Sequence, residues 1–150
     1  MRRRSHDGQP DFEISVASVP DSIPVVEAFV EEKLKERVPS EDDRDSIAIA
    51  LTEVVSNAIY HGNKQDPQKK VSVRGWIEAG KVRLEVQDEG EGFDPNSLGN
   101  PLDPENLMKD SGRGIFILKA LMDEVHFDFS RGGTVVTLVK LLSSEPEAEE

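Results

Sequence analysis

The chain has 150 residues, 36% of them apolar, which is enough for one domain with its own core and too apolar for a disordered chain. It carries 18 Lys and Arg against 30 Asp and Glu, a formal net charge of −12, which excludes a general electrostatic footprint for DNA or RNA. There are no cysteines, so disulfides, thiolate metal sites and a cysteine nucleophile are also excluded.

Residues 1–11 read as a flexible polar segment. Arg2, Arg3 and Arg4 open it, but Ser5-His6-Asp7-Gly8-Gln9-Pro10 follow where a secretory signal needs an apolar core. No window approaches the roughly 18 apolar residues of a membrane span. The expectation is a soluble, cytoplasmic protein with no membrane or nucleic-acid partner. Residues 12–17 (FEISVA) alternate apolar and polar, the pattern of an edge strand. Over residues 20–38, Val25, Val26, Phe29, Val30 and Leu34 recur at helical spacing, and Pro39 ends the run.

Ser40, with Asp43 three residues on, reads as the N-cap of a second helix. That helix holds Ile47, Ile49, Ala50, Leu51, Val54, Val55 and Ala58, runs to about His61 and stops at Gly62-Asn63. Residues 71–78 and 81–87 read as two strands joined by the turn Ala79-Gly80. Residues 88–111 form a long glycine- and proline-bearing segment, a length that is usually functional in a compact domain. A third helix is expected over residues 112–125. A closing hairpin follows, with strands at 126–130 and 134–141 around Arg131-Gly132-Gly133. Residues 143–150 form an acidic, disordered tail, so the folded domain is expected over residues 12–142. Hairpin-linked strands imply an α+β two-layer sandwich, a mainly antiparallel mixed sheet with helices on one face.

Four stretches could carry chemistry. On the second helix Glu53 and Asn57 are four residues apart and share a face, which His61 extends by a turn. Asn is a poor choice in mid-helix. Its carbonyl oxygen suits Mg²⁺, and a Glu one turn away can accept a proton from an attacking hydroxyl. The same residues also fit a plain solvated face. Asp88-Glu89-Gly90-Glu91-Gly92 follows a strand. Its glycines let the backbone pass close to a flat ligand, and Asp88 could accept from an exocyclic amine such as adenine offers; an ordinary acidic turn is the alternative.

Ser111-Gly112-Arg113-Gly114 enters a helix and could present free N–H groups, a helix dipole and the Arg113 guanidinium to a phosphate. It is not a P-loop, because the Gly-Lys-Ser/Thr ending is missing. Finally, Gly132-Gly133-Thr134 opens a strand, and Thr134 could bond Asp88 or a water beside it, or the stretch could be a simple hairpin turn.

In order and spacing these stretches resemble the ATP-binding fold of gyrase, heat-shock chaperones, histidine kinases and mismatch-repair proteins, the GHKL or Bergerat fold. In that family the Glu-x-x-x-Asn helix is the N-box, an Asp-x-Gly-x-Gly loop reads adenine, and a second Gly-x-Gly opens a helix beneath the phosphates. Within it, Leu51-Thr52-Glu53-Val54-Val55-Ser56-Asn57-Ala58-Ile59-Tyr60-His61-Gly62, and Ser111-Gly112-Arg113-Gly114 followed by Met122-Asp123-Glu124-Val125, are most similar to bacterial anti-sigma-factor serine kinases. The likeness covers roughly residues 12–142.

The resemblance implies that Asn57 holds Mg²⁺ and Glu53 is the general base. It implies that Asp88, Gly90, Gly92 and Thr134 form the adenine pocket, and that Ser111, Gly112, Arg113 and Gly114 steady the phosphates, with His61 beside the nucleotide. The implied function is an ATP-dependent serine/threonine kinase of a partner-switching module. It would phosphorylate an anti-sigma-factor antagonist of STAS type, bind a sigma factor in its other state, and form a homodimer near the first strand. A non-catalytic ATP-dependent binding module of the same fold is the alternative. A detached histidine-kinase ATP domain needs a phospho-accepting histidine on a dimerising helix pair, and neither is visible. One stretch departs from the family pattern: residues 94–111 are acidic and proline-bearing, with Lys109 as the only lysine and no arginine.

Overall fold

The fold comes from a computed structural model that describes residues 8–90 and 114–143. Among the described residues, five strands and three α-helices follow one another along the chain. They are β1 (Phe12–Ala17), α1 (Ser22–Arg37), α2 (Glu41–Asn57), β2 (Lys70–Glu78), β3 (Lys81–Gln87), α3 (Gly114–Leu121), β4 (Glu124–Asp128) and β5 (Val135–Leu141). The strands form one sheet in the order β1-β2-β3-β5-β4. Every neighbouring pair is antiparallel, so among the described residues the expected mixed sheet has no parallel pair.

Period-2 patterning decides which face is covered. Val71, Val73 and Ile77 of β2, Val82, Leu84 and Val86 of β3, and Val136 and Leu138 of β5 point into one core with the helices. From α1 that core takes Val26, Val30 and Leu34, and from α2 Ile47, Ala50, Leu51, Val54 and Val55, the i, i+3, i+4 stripe of an amphipathic helix. Leu34, Ile47, Leu51, Leu84, Leu118 and Leu138 are among the fully buried side chains, each contributing about 1.5–3 kcal/mol of transfer free energy. The opposite face is mixed, with Trp76, Val135 and Val139 buried on it beside charged side chains. There Arg74 bridges Glu13 at 3.5 Å and Glu85 at 3.4 Å, and the Arg83 guanidinium lies 4.0 Å over the ring of the only tryptophan, Trp76.

The start of α2 is fixed as the sequence suggests. Ser40 Oγ accepts from the Asp43 backbone N–H at 3.1 Å, and three acidic residues in the first turn complement the helix dipole. Asp43 Oδ2 then accepts from the Ser143 N–H at 2.8 Å, which ties the end of the sheet to the start of the helix. Arg44 donates to the carbonyls of Val38 and Pro39, closing the end of α1.

Two elements differ from their expected form. The last turn before Gly62 is not α-helical: Ala58–Gly62 is a π turn, closed by the Asn63 N–H on the Ala58 carbonyl at 2.8 Å. The third helix ends at Leu121, and β4 begins at Glu124 instead of residue 126. Here β-pairing overrides helical propensity. The Asp123 N–H bonds the Val139 carbonyl, and Val125 and Phe127 pair with Leu138 and Val136. The strand also stops before Ser130, because Asp128 Oδ1 accepts from both the Ser130 N–H and its hydroxyl. No helix among the described residues is long and apolar enough to cross a membrane.

Candidate functional site

The site forms where the C-terminal end of α2 meets the segment after β3 and the start of β5. Glu53 and Asn57 lie on one flank of α2, both half-buried. The Asn57 side-chain oxygen is buried and has no hydrogen-bond partner among the described residues. A buried acceptor left unmade costs about 1–3 kcal/mol. An oxygen in this state suits a hard cation or a bound water that brings the missing contact. His61 lies on the π turn and is solvent-exposed.

Asp88 follows β3 directly and is only 6% exposed. Its Oδ1 accepts two backbone N–H groups, those of Gly90 and Thr134, each at 3.0 Å. Its own N–H bonds the Thr134 carbonyl at 3.0 Å. Thr134 therefore meets Asp88 through its backbone rather than its hydroxyl. Among the described residues Oδ2 accepts no hydrogen bond, so it is the oxygen left for an incoming N–H donor. Burial pushes the Asp88 carboxyl above its ordinary value; the Gly90 and Thr134 N–H groups and the charge of Lys69 pull it back in part.

Three glycines make this cradle possible. A Cβ on Gly62 would lie 2.1 Å from Asp88 Oδ2. One on Gly133 would lie 2.2 Å from the Asp88 carbonyl oxygen, and one on Gly90 would lie 2.2 Å from that of Gly62. Thus the end of the α2 run, the segment after β3 and the turn before β5 touch at the carboxylate, and no side chain fits between them. Gly62 and Gly133 were expected only as a helix stop and a hairpin turn. A glycine beside a helix end or a strand start looks the same in sequence whether it turns the chain or makes room for a neighbour.

The Asn63 side chain, 1% exposed, spans the same junction. Its amide donates to Ser18 Oγ at 2.7 Å and to the Lys70 carbonyl at 3.0 Å, while Oδ1 accepts the Glu89 N–H at 2.8 Å. Glu89 Oε1 in turn accepts from the Lys70 N–H at 3.0 Å.

The end of the helix run that carries Glu53 and Asn57 meets Asp88 through Gly62, and Gly90 and Thr134 are bonded to Asp88. Gly114 is buried at the first turn of α3, which packs against α2. Gly92, Ser111, Gly112 and Arg113, with the acidic stretch 94–111, lie outside the described residues.

The chain is similar to known proteins in sequence and in fold. The sequence pattern of the family described as "Histidine kinase-like ATPase domain" matches residues 16–140. Serine-protein kinase RsbW of Bacillus licheniformis is 34% identical over 113 residues, covering 71% of this chain and 69% of the relative. Anti-sigma F factor of Geobacillus stearothermophilus is 39% identical over 103 residues, 65% of this chain and 69% of the relative. Among solved structures, the RsbU and RsbW domains of Rv1364c from Mycobacterium tuberculosis superpose with a TM-score of 0.66 at 25% identity. That match covers 90% of this chain, which spans about a third (33%) of the longer solved chain.

Proposed function

This chain belongs to the histidine kinase-like ATPase family, in the group that holds serine-protein kinases and anti-sigma factors, and on that premise we propose how its residues divide the work. The protein is an ATP-dependent serine/threonine protein kinase of the partner-switching type. Asp88 recognises the adenine amine through the carboxylate oxygen that the Gly90 and Thr134 N–H groups leave free. Gly90, Gly92 and Thr134 shape that pocket, and Ser111, Gly112, Arg113 and Gly114 receive the phosphates, with His61 at the rim. Asn57 offers its unpartnered oxygen to Mg²⁺, which supplies charge neutralisation at the phosphates when bound.

In the transfer itself, the hydroxyl oxygen of a partner serine attacks the γ-phosphorus. A new O–P bond forms as the bond to the β-phosphate oxygen breaks, and ADP leaves. Glu53 takes the hydroxyl proton. The partner is an anti-sigma-factor antagonist of STAS type, exchanged against a sigma factor; the kinase works as a homodimer, in the cytoplasm. The observation that carries this reading is the direct contact of Gly62 with Asp88, which joins the Glu53–Asn57 helix to the carboxylate that reads the base.

The test is thermal unfolding with and without Mg-ATP, followed by phosphate transfer to the cognate antagonist. A ligand that binds only the native state adds about 2.7 kcal/mol at a hundredfold excess over its Kd. Wild type should show that shift and Asn57→Ala should lose it. Glu53→Ala should keep the shift and lose transfer; transfer at the wild-type rate in Glu53→Ala would refute the assigned base.

A further inference from the structure

We propose that Asn63 is a positioning residue for purine discrimination: it sets the orientation of the Asp88–Glu89 peptide, and through it the carboxylate that separates a 6-amino from a 6-oxo purine. The inference rests on the role proposed for Asp88.

Asn63 is almost completely buried at the junction of three segments: the end of β1 (Ser18), the start of β2 (Lys70) and the residue after Asp88 (Glu89). One side chain must give two donor bonds and accept one. An amide does that; a carboxylate lacks the donors, and a hydroxyl is too short to span the gap. The donors go to groups on the rigid sheet, since Ser18 is itself bonded to the Lys69 carbonyl through both its N–H and its hydroxyl. The acceptor goes to the recognition segment. Asn63 is thus a strut from sheet to loop.

The foot of the strut is fixed as well. The π turn puts the Asn63 N–H on the Ala58 carbonyl, and the next residues, Lys64 and Gln65, both hold left-handed backbone at φ 55° and 59°. Consecutive left-handed non-glycine residues are costly and persist only where neighbours enforce them. Here the Gln65 N–H on the Ile59 carbonyl at 2.7 Å and the Asp66 N–H on the Asn63 carbonyl at 3.0 Å do so. A regular α-helical turn would end differently and aim residue 63 elsewhere.

At its far end the strut holds the Glu89 N–H, between Asp88 and Gly90. Those two residues fix the carboxylate, because the Gly90 N–H is one of the two donors on Asp88 Oδ1. Adenine presents an amine donor to Oδ2, whereas guanine presents a carbonyl that the carboxylate repels. If the Asp88–Glu89 peptide turns, that distinction is lost along with affinity.

The experiment measures Kd for ATP and for GTP by calorimetry on the full chain, at a temperature where circular dichroism shows each variant folded. Asn63→Ala and Asn63→Ser should lower the ATP-over-GTP preference by about tenfold, the effect of losing one well-placed bond. Asn63→Asp keeps the acceptor for the Glu89 N–H and should retain the preference. Ser18→Ala, which removes a sheet-side partner only, should lower Tm and leave the preference alone.

A folded Asn63→Ala or Asn63→Ser protein with wild-type preference overturns the proposal, because a purely structural side chain would lower Tm without moving the ratio. Loss of preference in Asn63→Asp as deep as in Asn63→Ala overturns the assignment to the Glu89 bond. Asp88→Asn separates this inference from the reading beneath it. If Asp88→Asn leaves ATP affinity and preference unchanged, the adenine role of Asp88 fails and the strut fails with it. If Asp88→Asn abolishes the preference while folded Asn63→Ala keeps it, only the strut fails.

Discussion

Replacing Gly62 by alanine places a single methyl against the Asp88 carboxylate, and opposing effects set the outcome. The new Cβ would stand 2.1 Å from Asp88 Oδ2 and 2.6 Å from Cγ, well inside the roughly 3.5 Å of ordinary contact. Alanine gains up to about 1 kcal/mol in helical propensity over glycine. Against this stand overpacking, at about 1–3 kcal/mol, and the two N–H bonds on Asp88 Oδ1, each about 1.5–3 kcal/mol to a charged acceptor. The clash wins. Because it falls on the end of a side chain and not on backbone, the carboxylate moves and the fold survives. The expected stability loss is about 1–3 kcal/mol, with roughly 2–4 °C of Tm for each kcal/mol in a chain of this size.

ATP affinity should fall at least about tenfold, since 1.4 kcal/mol suffices for that factor. Gly80→Ala is the matched control: Gly80 sits at φ 78° in the β2–β3 turn with nothing within 4 Å of a new Cβ. It should cost about 1–2 kcal/mol from left-handed backbone and leave ATP binding unchanged. Scanning fluorimetry gives the stability and calorimetry the affinity. If Gly62→Ala binds ATP as wild type does, or if both variants lose affinity in proportion to Tm, the reasoning is wrong.

Gly133→Ala should be more damaging, because its Cβ meets the Asp88 backbone carbonyl at 2.2 Å; a loss of native circular dichroism or a Tm drop larger than that of Gly62→Ala is expected. The Asp88 pKa is raised in the fold, so its contribution to stability is present in acid and lost as pH rises from the ordinary 3.8 through the folded value. Apo Asp88→Asn should therefore melt no lower than wild type at neutral pH while failing to bind ATP, which fluorimetry with and without nucleotide checks. On the adenine role proposed for Asp88 the ionised acceptor is needed, so wild-type ATP affinity should fall on acidification at a pH above 3.8, as calorimetry across pH would show. Ser40→Ala should cost about 1 kcal/mol through loss of the α2 cap and leave the ATP Kd unchanged, because the cap lies at the opposite end of the helix from Asn57.

Much of this architecture was legible because local chemistry and global fold agree. FEISVA, VSVRGWIE and KVRLEVQ alternate with period two and became strands with their apolar sides on the helices. Ser40 and Asp43 announced the start of α2, and the Ser40 bond sits where it was expected. The spacing of Glu53 and Asn57 and the strand-end position of Asp88 were also readable, because one depends on helical period and the other on a strand boundary. The π turn was not, since an i→i−5 bond leaves no compositional trace in Ala58-Ile59-Tyr60-His61-Gly62. Nor was the early start of β4. Met122-Asp123-Glu124-Val125 suits a helix, and only pairing with β5 makes it extended. Asn63 was hidden for a related reason: an Asn after Gly at a helix end is an ordinary cap, and its burial depends on Ser18 and Glu89, far away in sequence.

Trp76, the one tryptophan, is only 5% exposed and lies on the sheet face away from the helices, beneath Arg83. Nature has in effect installed a fluorophore on the rear wall of the protein. The thickness of the sheet separates it from Asp88 and the proposed nucleotide site, so nucleotide titrations followed by intrinsic fluorescence should be nearly blind. A partner on that rear wall would reach the buried indole through Arg83, whose guanidinium lies over the ring. A spectral change that depends on protein concentration but not on ATP would report self-association, independently of any nucleotide signal.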